Sequence, residues 1–308
     1  MVTPRRPADT AAPSLAAVEP LMRKSLAFGF CLLLAAGVAS AQERHSLWSI
    51  QSKSNTVYLL GSVHFLRPGD ALPKVVDEAY GDAEKIVMEI DMDDLDPLAA
   101  QQTTLQLGLL PDSQTLEAEL GPETYRKVVD QAASVGLDAA VLNHFRPWLA
   151  AMTLVQLQLL KQGLDPASGV EQRLMTRAAA DHKEIIGLET LDEQLGFLAG
   201  LPQAQQREFL LYSVEDADNA SAEVEELLGA WRTGDTKALE RILADGFEKY
   251  PDLYRPLTVD RNRHWIPDIE KYLDDTDDYL VVVGAMHLVG KDSVVDLLEK
   301  RGHEVVQH

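Results

Sequence analysis

The sequence is almost without cysteine: Cys31 is the only one in 308 residues. It lies inside an apolar segment near the N-terminus, so the chain beyond that segment carries no thiol. This excludes disulfides, cysteine nucleophiles and cysteine-ligated metals from the rest of the protein. A glycine-rich phosphate loop and a Gly-x-Ser-x-Gly motif are missing as well, which removes two common kinds of enzyme site.

Basic residues are also scarce, with 28 lysines and arginines against 49 aspartates and glutamates. Residues 1–41 hold four of the basic and two of the acidic residues, so the remaining chain has a formal net charge of −23. Because so negative a surface repels phosphate backbones, we expect no nucleic-acid partner. The simplest use of the excess acid is solubility.

Long apolar runs are limited to the N-terminal region, and none reaches the roughly 20 residues that span a bilayer. Arg23 and Lys24 precede the apolar run Leu26–Val38, and the small residues Ala39–Ala41 follow it. That order is typical of a secretory signal peptide, with cleavage expected before Gln42. The sequence therefore predicts an exported protein, periplasmic or secreted, with no stable membrane insertion after cleavage.

The organisation of the chain follows from that signal. Met22 stands directly before the two basic residues and is a second candidate for the translation start. Residues 42–308 have the length of one large domain. We expect a single domain there, with a helical insertion over about residues 97–273.

Strand patterns cluster near the two ends of this domain. Ser46–Ile50 and Val57–Leu60 alternate around the polar turn Ser52–Asn55, which predicts a hairpin. A helix from Pro73 to Asp82 and an apolar strand, Lys85–Ile90, come next. A strand, a helix and a strand in this order predict a parallel βαβ unit.

The middle of the chain is predicted to be mainly helical, with one strand at Glu184–Leu188. A strand at Tyr279–Val283, a helix at Ser293–Arg301 and a strand at His303–Val306 complete the chain. We therefore expect an α/β (α+β) fold, whose central mixed, largely parallel sheet is built from the N- and C-terminal segments. The predicted helices of the insertion show apolar residues at three- and four-residue spacing: Tyr125–Val135, Pro147–Leu160, Gln172–Ala180, Ala204–Val214, Ala222–Trp231 and Thr236–Ile242.

An eight-residue segment occurs twice in the chain. Leu59–Leu66 matches Val282–Val289 in residue class at every position. In each copy an apolar strand stops at a glycine, and a histidine follows three residues later, at His64 and His287. A single histidine of this kind is usually a core residue, but the repetition of the whole segment favours a functional site.

The position of these segments in the fold suggests the chemistry. Ligands of open α/β sheets bind beyond the carboxyl ends of strands, where glycines such as Gly61 and Gly284 allow close backbone approach. Glu89, near the end of a third strand, can reach the same place. Two histidines and a carboxylate are a common ligand set for a divalent metal. The alternative is a structural duplication without chemistry, since glycine turns also recur for packing.

Several weaker candidates each have two interpretations. Glu171 opens a helix, where it either caps the helix or joins the site. Glu189 ends a strand at the same edge, although Thr190 and Glu193 beside it form a plausible capping box. Arg261-Asn262 either contacts substrate or an oxyanion, or lies on a solvated helix face or in an ion pair.

Two further features are assigned to structure. Arg146-Pro147-Trp148 predicts the start of a helix with a packed tryptophan. The remaining histidines have no comparable setting and are treated as bystanders: His45, His144, His182, His264, His303 and His308.

Taken in order, these motifs resemble the TraB/GumN (TraB/PrgY/GumN) family, which is related to the Tiki-type metalloproteases and more distantly to ChaN-like and erythromycin-esterase-like proteins. The resemblance extends from Trp48 to Val306. It rests on Gly61–His64, Val87–Glu89, Arg146–Trp148, Gly169–Glu171, Gly187–Thr190 with Glu193-Gln194, Arg261-Asn262 and Val283–Gly290.

The resemblance implies a metal-dependent hydrolase, with manganese- or cobalt-dependent peptide cleavage in the Tiki branch. On that basis His64, Glu89 and His287 are the metal-binding and catalytic residues, and the cofactor is manganese, cobalt or zinc. Glu89 is either a ligand or the general base. The expected partner is a peptide or small-molecule substrate, contacted by further candidates: Gly61, Gly284, Glu171, Glu189, Arg261 and Asn262.

Two other functions are compatible with the same motifs. In the plasmid-pheromone branch the family is associated with shutting down a peptide signal. The main alternative is therefore a non-catalytic protein that sequesters a peptide or small molecule in the same cleft. A third interpretation, a stress or polysaccharide-related accessory factor, has no specific feature in its favour.

Overall fold

A hairpin opens the structure, a computed structural model that describes residues 44–215, 220–248 and 250–308. Its strands β1 (Leu47–Gln51) and β2 (Thr56–Ser62) are antiparallel, with Leu47 opposite Leu60. This confirms the predicted hairpin. The expected signal peptide and the alternative start at Met22 lie outside the described residues.

The hairpin belongs to a six-stranded sheet with the strand order β4-β3-β5-β2-β1-β6. The first four strands in this order are parallel, and β1 and β6 are antiparallel to their neighbours. The predicted mixed, largely parallel sheet is confirmed. The other strands are β3 (Lys85–Ile90), β4 (Glu184–Glu189), β5 (Tyr279–Gly284) and β6 (Val305–Gln307).

The first crossover skips one position in the sheet. Helix α1 (Lys74–Asp82) connects β2 to β3, and these strands run parallel as predicted. However, β5 lies between them and pairs with both. An almost entirely apolar strand suits this central place, since both of its faces are covered.

The middle of the chain is mainly helical, as predicted. Its one strand, β4, pairs with β3 at the edge of the sheet. The predicted capping box of Thr190 and Glu193 is present, and Trp148 is buried in the first turn after Arg146. The remaining α-helices are α2 (Pro97–Gly108), α3 (Leu116–Leu120), α4 (Pro122–Ser134), α5 (Ala139–Leu142), α6 (Pro147–Lys161), α7 (Val170–Asp181), α8 (Leu191–Ala199), α9 (Gln203–Glu215), α10 (Ala220–Arg232), α11 (Thr236–Glu248), α12 (Pro251–Tyr254), α13 (Asp260–Leu273) and α14 (Val294–Lys300).

Apolar side chains cover both faces of the sheet. Successive strand residues point to opposite faces, so Leu60 and Val282 join one core cluster while Leu59 and Val281 join the other. Full burial of each such side chain contributes roughly 1.5–3 kcal/mol. A third cluster holds the helical part together. Among the described helices, none has the length and apolar character needed to cross a membrane.

Candidate functional site

The ends of three parallel strands meet at one edge of the sheet. Gly61 of β2 lies opposite Val283 of β5, and Ser62 lies opposite Gly284, so the two repeated segments are offset by one residue. On the other side of β5, Glu89 of β3 accepts a hydrogen bond through Oε1 from the N–H of Gly284, at 2.8 Å. The sheet thus brings both repeats and Glu89 together.

His287 is buried in a short 3-10 turn, Ala285–His287, with 8% of its surface exposed. Its Nδ1 lies 2.6 Å from Oδ1 of Asn262, whose amide nitrogen donates to the carbonyl of Asp292. That second bond orients the Asn262 amide, so Nδ1 of His287 carries the proton, and the lone pair of Nε2 faces Nη1 of Arg261 at 3.4 Å. Burial lowers the pKa of His287 to about 4. At neutral pH this imidazole is uncharged.

His64 has a different environment. Its side chain is 63% exposed, and its Nδ1 lies 2.8 Å from Oε1 of Glu171. Ser62 donates its hydroxyl to the same carboxylate oxygen. The charge of Glu171 raises the pKa of His64 to about 9. Among the described residues, none is hydrogen-bonded to Nε2 of His64.

A close backbone contact brings Glu171 to His64. The N–H of Val170 donates to the carbonyl of Val63 at 3.1 Å. A Cβ atom at Gly169 would lie 2.1 Å from the carbonyl oxygen of His64, so only glycine fits at this position. The start of α7 therefore packs directly on the loop after β2. The Glu171 side chain bonds to His64 and Ser62.

A buried ion-pair network surrounds Glu89. Nη2 of Arg261 lies 2.7 Å from Oε2 of Glu89 and 2.7 Å from Oε2 of Glu189. The Glu189 side chain is fully buried and also accepts a hydrogen bond from the indole of Trp265 at 2.9 Å. Desolvation opposes ionisation of Glu89, but two positive charges lower its pKa to about 2: that of His287, which is protonated only below about pH 4, and that of Arg261. Glu189 thus anchors Arg261, and Arg261 keeps Glu89 ionised.

An irregular helical segment positions Arg261 beside Glu89 and Glu189. A π-helical turn, Arg255–Val259, runs directly into α13. The Trp265 ring of α13 lies 4.7 Å from the His287 ring, and the Arg261 guanidinium lies 4.9 Å from the Trp265 ring. Such π-turns are frequent at functional sites because they rotate side chains out of the regular helical register.

Sequence reasoning missed part of this site. It assigned no role to Trp265, to Ser62 or to Gln194, whose amide donates to Glu89 at 3.0 Å. It also missed that Asn262 orients a histidine. A signal was present, because Asn262, Trp265, Ile266 and Ile269 follow helical spacing and all are buried. A buried asparagine on an apolar stripe indicates a specific partner.

The two repeat glycines are placed differently. A Cβ atom at Gly61 would lie 3.0 Å from Cα of Ala285, and the Gly61 carbonyl accepts a hydrogen bond from the indole of Trp231. A Cβ atom at Gly284 would lie 3.5 Å from both Oε1 of Glu89 and Cδ2 of His287, which is ordinary contact. Gly284 therefore lines the site, whereas Gly61 packs against the turn after β5.

The donor chemistry of His64, Glu89 and His287 suits a divalent cation. Each imidazole has its Nδ1 held by an oxygen, as in metal sites where Nε2 is the ligand. Three hydrogen bonds to Glu89 leave about one of its four lone-pair sites. In the described ranges, however, no three histidine, cysteine or acidic side chains stand ready to hold an ion. A cation would require these side chains to draw together.

Comparison with known proteins identifies the same family as the sequence motifs do. The model of the TraB/PrgY/gumN family matches residues 46–307. The chain is 24% identical over 242 residues to the uncharacterized protein YbaP of Escherichia coli (strain K12), covering 78% of this chain and 87% of that protein. It is 21% identical over 295 residues to an uncharacterized protein of Treponema pallidum (strain Nichols), covering 88% and 86%. No solved structure gives a significant match. Because the family match extends from β1 to β6, the chain belongs to the TraB/PrgY/gumN family.

Proposed function

We propose that this chain is an exported, metal-dependent hydrolase that acts on peptides. Its reaction centre is formed by His64, Glu89 and His287, and its cofactor is a divalent ion, manganese, cobalt or zinc. One observation carries the proposal: two strand-end histidines, each held through Nδ1, flank a buried carboxylate at the carboxyl edge of parallel strands. Membership of the TraB/PrgY/gumN family supports it.

The surrounding residues have definable tasks in such a reaction. A bound ion would lower the pKa of its water and polarise the scissile carbonyl. Asn262 and Glu171 orient the two imidazoles, and Glu89 is in the carboxylate form that a metal ligand requires. Arg261 holds a fixed positive charge beside Glu89, where it can stabilise negative charge developing on a substrate oxygen.

Metal content tests the cofactor. The purified protein is loaded with Mn²⁺, Co²⁺ or Zn²⁺, dialysed and analysed, together with the His64→Ala and His287→Ala variants. We expect about one ion per wild-type chain and loss of the ion in both variants, because a site of this kind needs each of its few ligands. His264→Ala, at an exposed position of α13, is the matched control and keeps the ion. Equal, negligible metal in wild type and variants rejects the metal site.

Turnover tests the activity. A pool of unlabelled peptides is incubated with the metal-loaded protein, with the chelated protein and with the Glu89→Gln variant, and cleavage is followed by mass spectrometry. The proposal expects cleavage only by the loaded wild type. Cleavage that persists unchanged under chelation assigns the activity to a different chemistry.

A binding protein that sequesters its ligand without turnover is the second candidate. It is favoured by the Arg261 guanidinium, which already pairs with both Glu89 and Glu189 without an added cation. This candidate predicts peptide binding that survives both chelation and the Glu89→Gln change. Loss of binding on chelation counts against it.

A further inference from the structure

Met286 and His287 are among the residues that line a cavity of about 490 Å³. Its walls come from α4, α6, α9, α10 and α11 and from the π-helical turn before α13. This volume lies within the roughly 300–1,000 Å³ of ordinary ligand pockets. The buried imidazole of His287, one of the three residues of the proposed reaction centre, therefore lines a chamber whose walls come mainly from the helical part of the chain.

The lining of the cavity is mostly apolar. Aliphatic and aromatic side chains dominate it, including Val155, Leu159, Leu227, Ile242 and Phe247. Of the described residues that line it, none is a lysine or arginine, and Glu223 is acidic. Such a surface gains from burying uncharged apolar groups and offers no cation to a phosphate or a carboxylate. The chamber thus selects against nucleotides, phosphates and free fatty acids.

Three glutamines give the cavity a polar wall. Gln131 donates to Gln158 over 3.4 Å, a long hydrogen bond, and both residues line the chamber. Gln162 also lines it, and its amide nitrogen is buried without a hydrogen-bond partner. Amide side chains both donate and accept, as peptide groups do, and an unpaired buried donor is unfavourable. These amides match a peptide backbone better than a hydrocarbon chain.

We infer that this cavity binds bulky apolar side chains of a peptide and thereby sets the substrate specificity of the site beside His287. The inference rests on the proposed hydrolase function, which it deepens. Apolar residues next to the scissile bond occupy the aliphatic part of the chamber, and the glutamine wall faces the peptide groups. Peptides with small polar residues leave the apolar lining unburied, so they bind weakly.

Binding is tested separately from turnover, with chelator present throughout. Two fluorescent, terminally blocked peptides of equal length are used, one rich in leucine and phenylalanine and one with serine in their place. The variants are Val155→Asp, which puts a charge in the chamber, and Val155→Trp, which fills it. Met152→Asp is the matched control, because Met152 lies on the same helix α6 with similar exposure (44% against 37%) and does not line the cavity.

We expect the apolar peptide to bind the wild-type protein at least about tenfold more tightly than the serine peptide does. Both Val155 variants lose about tenfold in affinity for the apolar peptide, and Met152→Asp stays within about twofold of wild type. Equal binding of the two peptides overturns the inference, as does wild-type affinity in both Val155 variants. A neutral fluorescent dye that binds the cavity is used as a second probe. If dodecanol displaces this dye and the apolar peptide does not, the chamber binds acyl chains, and the inference is overturned.

Cleavage assays separate this inference from the hydrolase proposal. If the metal-loaded protein cleaves both peptides equally and the Val155 variants change nothing, the cavity inference fails while the hydrolase stands. If the apolar peptide binds in a Val155-dependent way but no metal supports turnover, the hydrolase fails and the peptide cavity stands. Cleavage of the apolar peptide alone, lost in both Val155 variants, supports both.

Discussion

The two Gly-x-x-His segments are alike in sequence and unlike in structure. His64 is largely exposed and paired with the carboxylate of Glu171, whereas His287 is buried and paired with the neutral amide of Asn262. The pKa of His64 is raised to about 9, and that of His287 is lowered to about 4. In the metal-free protein at pH near 7, one imidazole is therefore cationic and the other neutral, and a metal ion bound by His64 would have to displace the proton from its Nε2.

The difference shows what a repeated motif specifies. The repeat places two histidines at adjacent strand ends, because strand, glycine turn and spacing are local properties. Their partners come from elsewhere, Glu171 from α7 and Asn262 from α13. Residue environments that push two pKa values apart are a common way to divide roles in an active site. The following substitutions separate the two halves, in order of decreasing effect on stability.

The largest loss of stability is expected from Arg261→Met, which disrupts the ion-pair network near His287. The change leaves Glu89 and Glu189 buried without their cation, which costs roughly 3–5 kcal/mol. Urea unfolding measures it. Arg263→Met is the control, since Arg263 is half-exposed and its ion pair with Asp292 spans 3.4 Å, so about 0–1 kcal/mol is expected. Equal losses in the two variants contradict the buried network.

On the His64 side, Gly169→Ala is expected to cost about 1–3 kcal/mol, because the new methyl group collides with the His64 carbonyl. The displaced loop separates His64 from Glu171, so the His64 pKa falls as well. Gly81→Ala in α1 is the control: a Cβ atom there meets no other atom within 4 Å, and the change is neutral or slightly stabilising. Unchanged stability and an unchanged His64 titration in Gly169→Ala would refute the close contact.

Substitutions of the two repeat glycines, Gly61 and Gly284, are expected to have smaller effects on stability that differ from each other. Gly61→Ala is expected to cost about 1 kcal/mol or more, because the added methyl group crowds Ala285. Gly284→Ala, with its methyl at ordinary contact distance, is expected to change stability by less than about 0.5 kcal/mol. It should nevertheless reduce turnover or ligand binding, because the methyl group stands beside Glu89 and His287. Thermal unfolding compared with activity separates the two outcomes.

The smallest effect on stability is expected from Glu171→Gln, which is followed by NMR titration of the chelated protein. Removing the carboxylate should return the pKa of His64 from about 9 toward the ordinary value of about 6.5. The raised pKa stabilises the fold below the unfolded value, and this contribution disappears as pH rises through about 9. Wild type and variant should therefore converge in stability at high pH. A His64 pKa that stays near 9 in the variant would assign the shift to another group.

Much of the fold was predictable because its signals are local. Apolar alternation located the hairpin, an apolar run located β3, and three- and four-residue spacing located the long helices. The ordered motifs were enough to identify the family, which the match over residues 46–307 confirms. The candidate site residues His64, Glu89 and His287 were selected on the same basis.

Sequence reasoning specified strands, helices, the glycine turns and the positions of two histidines, since each depends on neighbours along the chain. Contacts between residues far apart in the chain decided the strand order and the partners of the site residues. β5 enters between β2 and β3, which sets Gly284 against Glu89, and the π-helical turn sends Arg261 to Glu89 and Glu189. Burial and charge then give two similar histidines opposite protonation states, because pKa depends on the groups packed around a side chain and not on its motif.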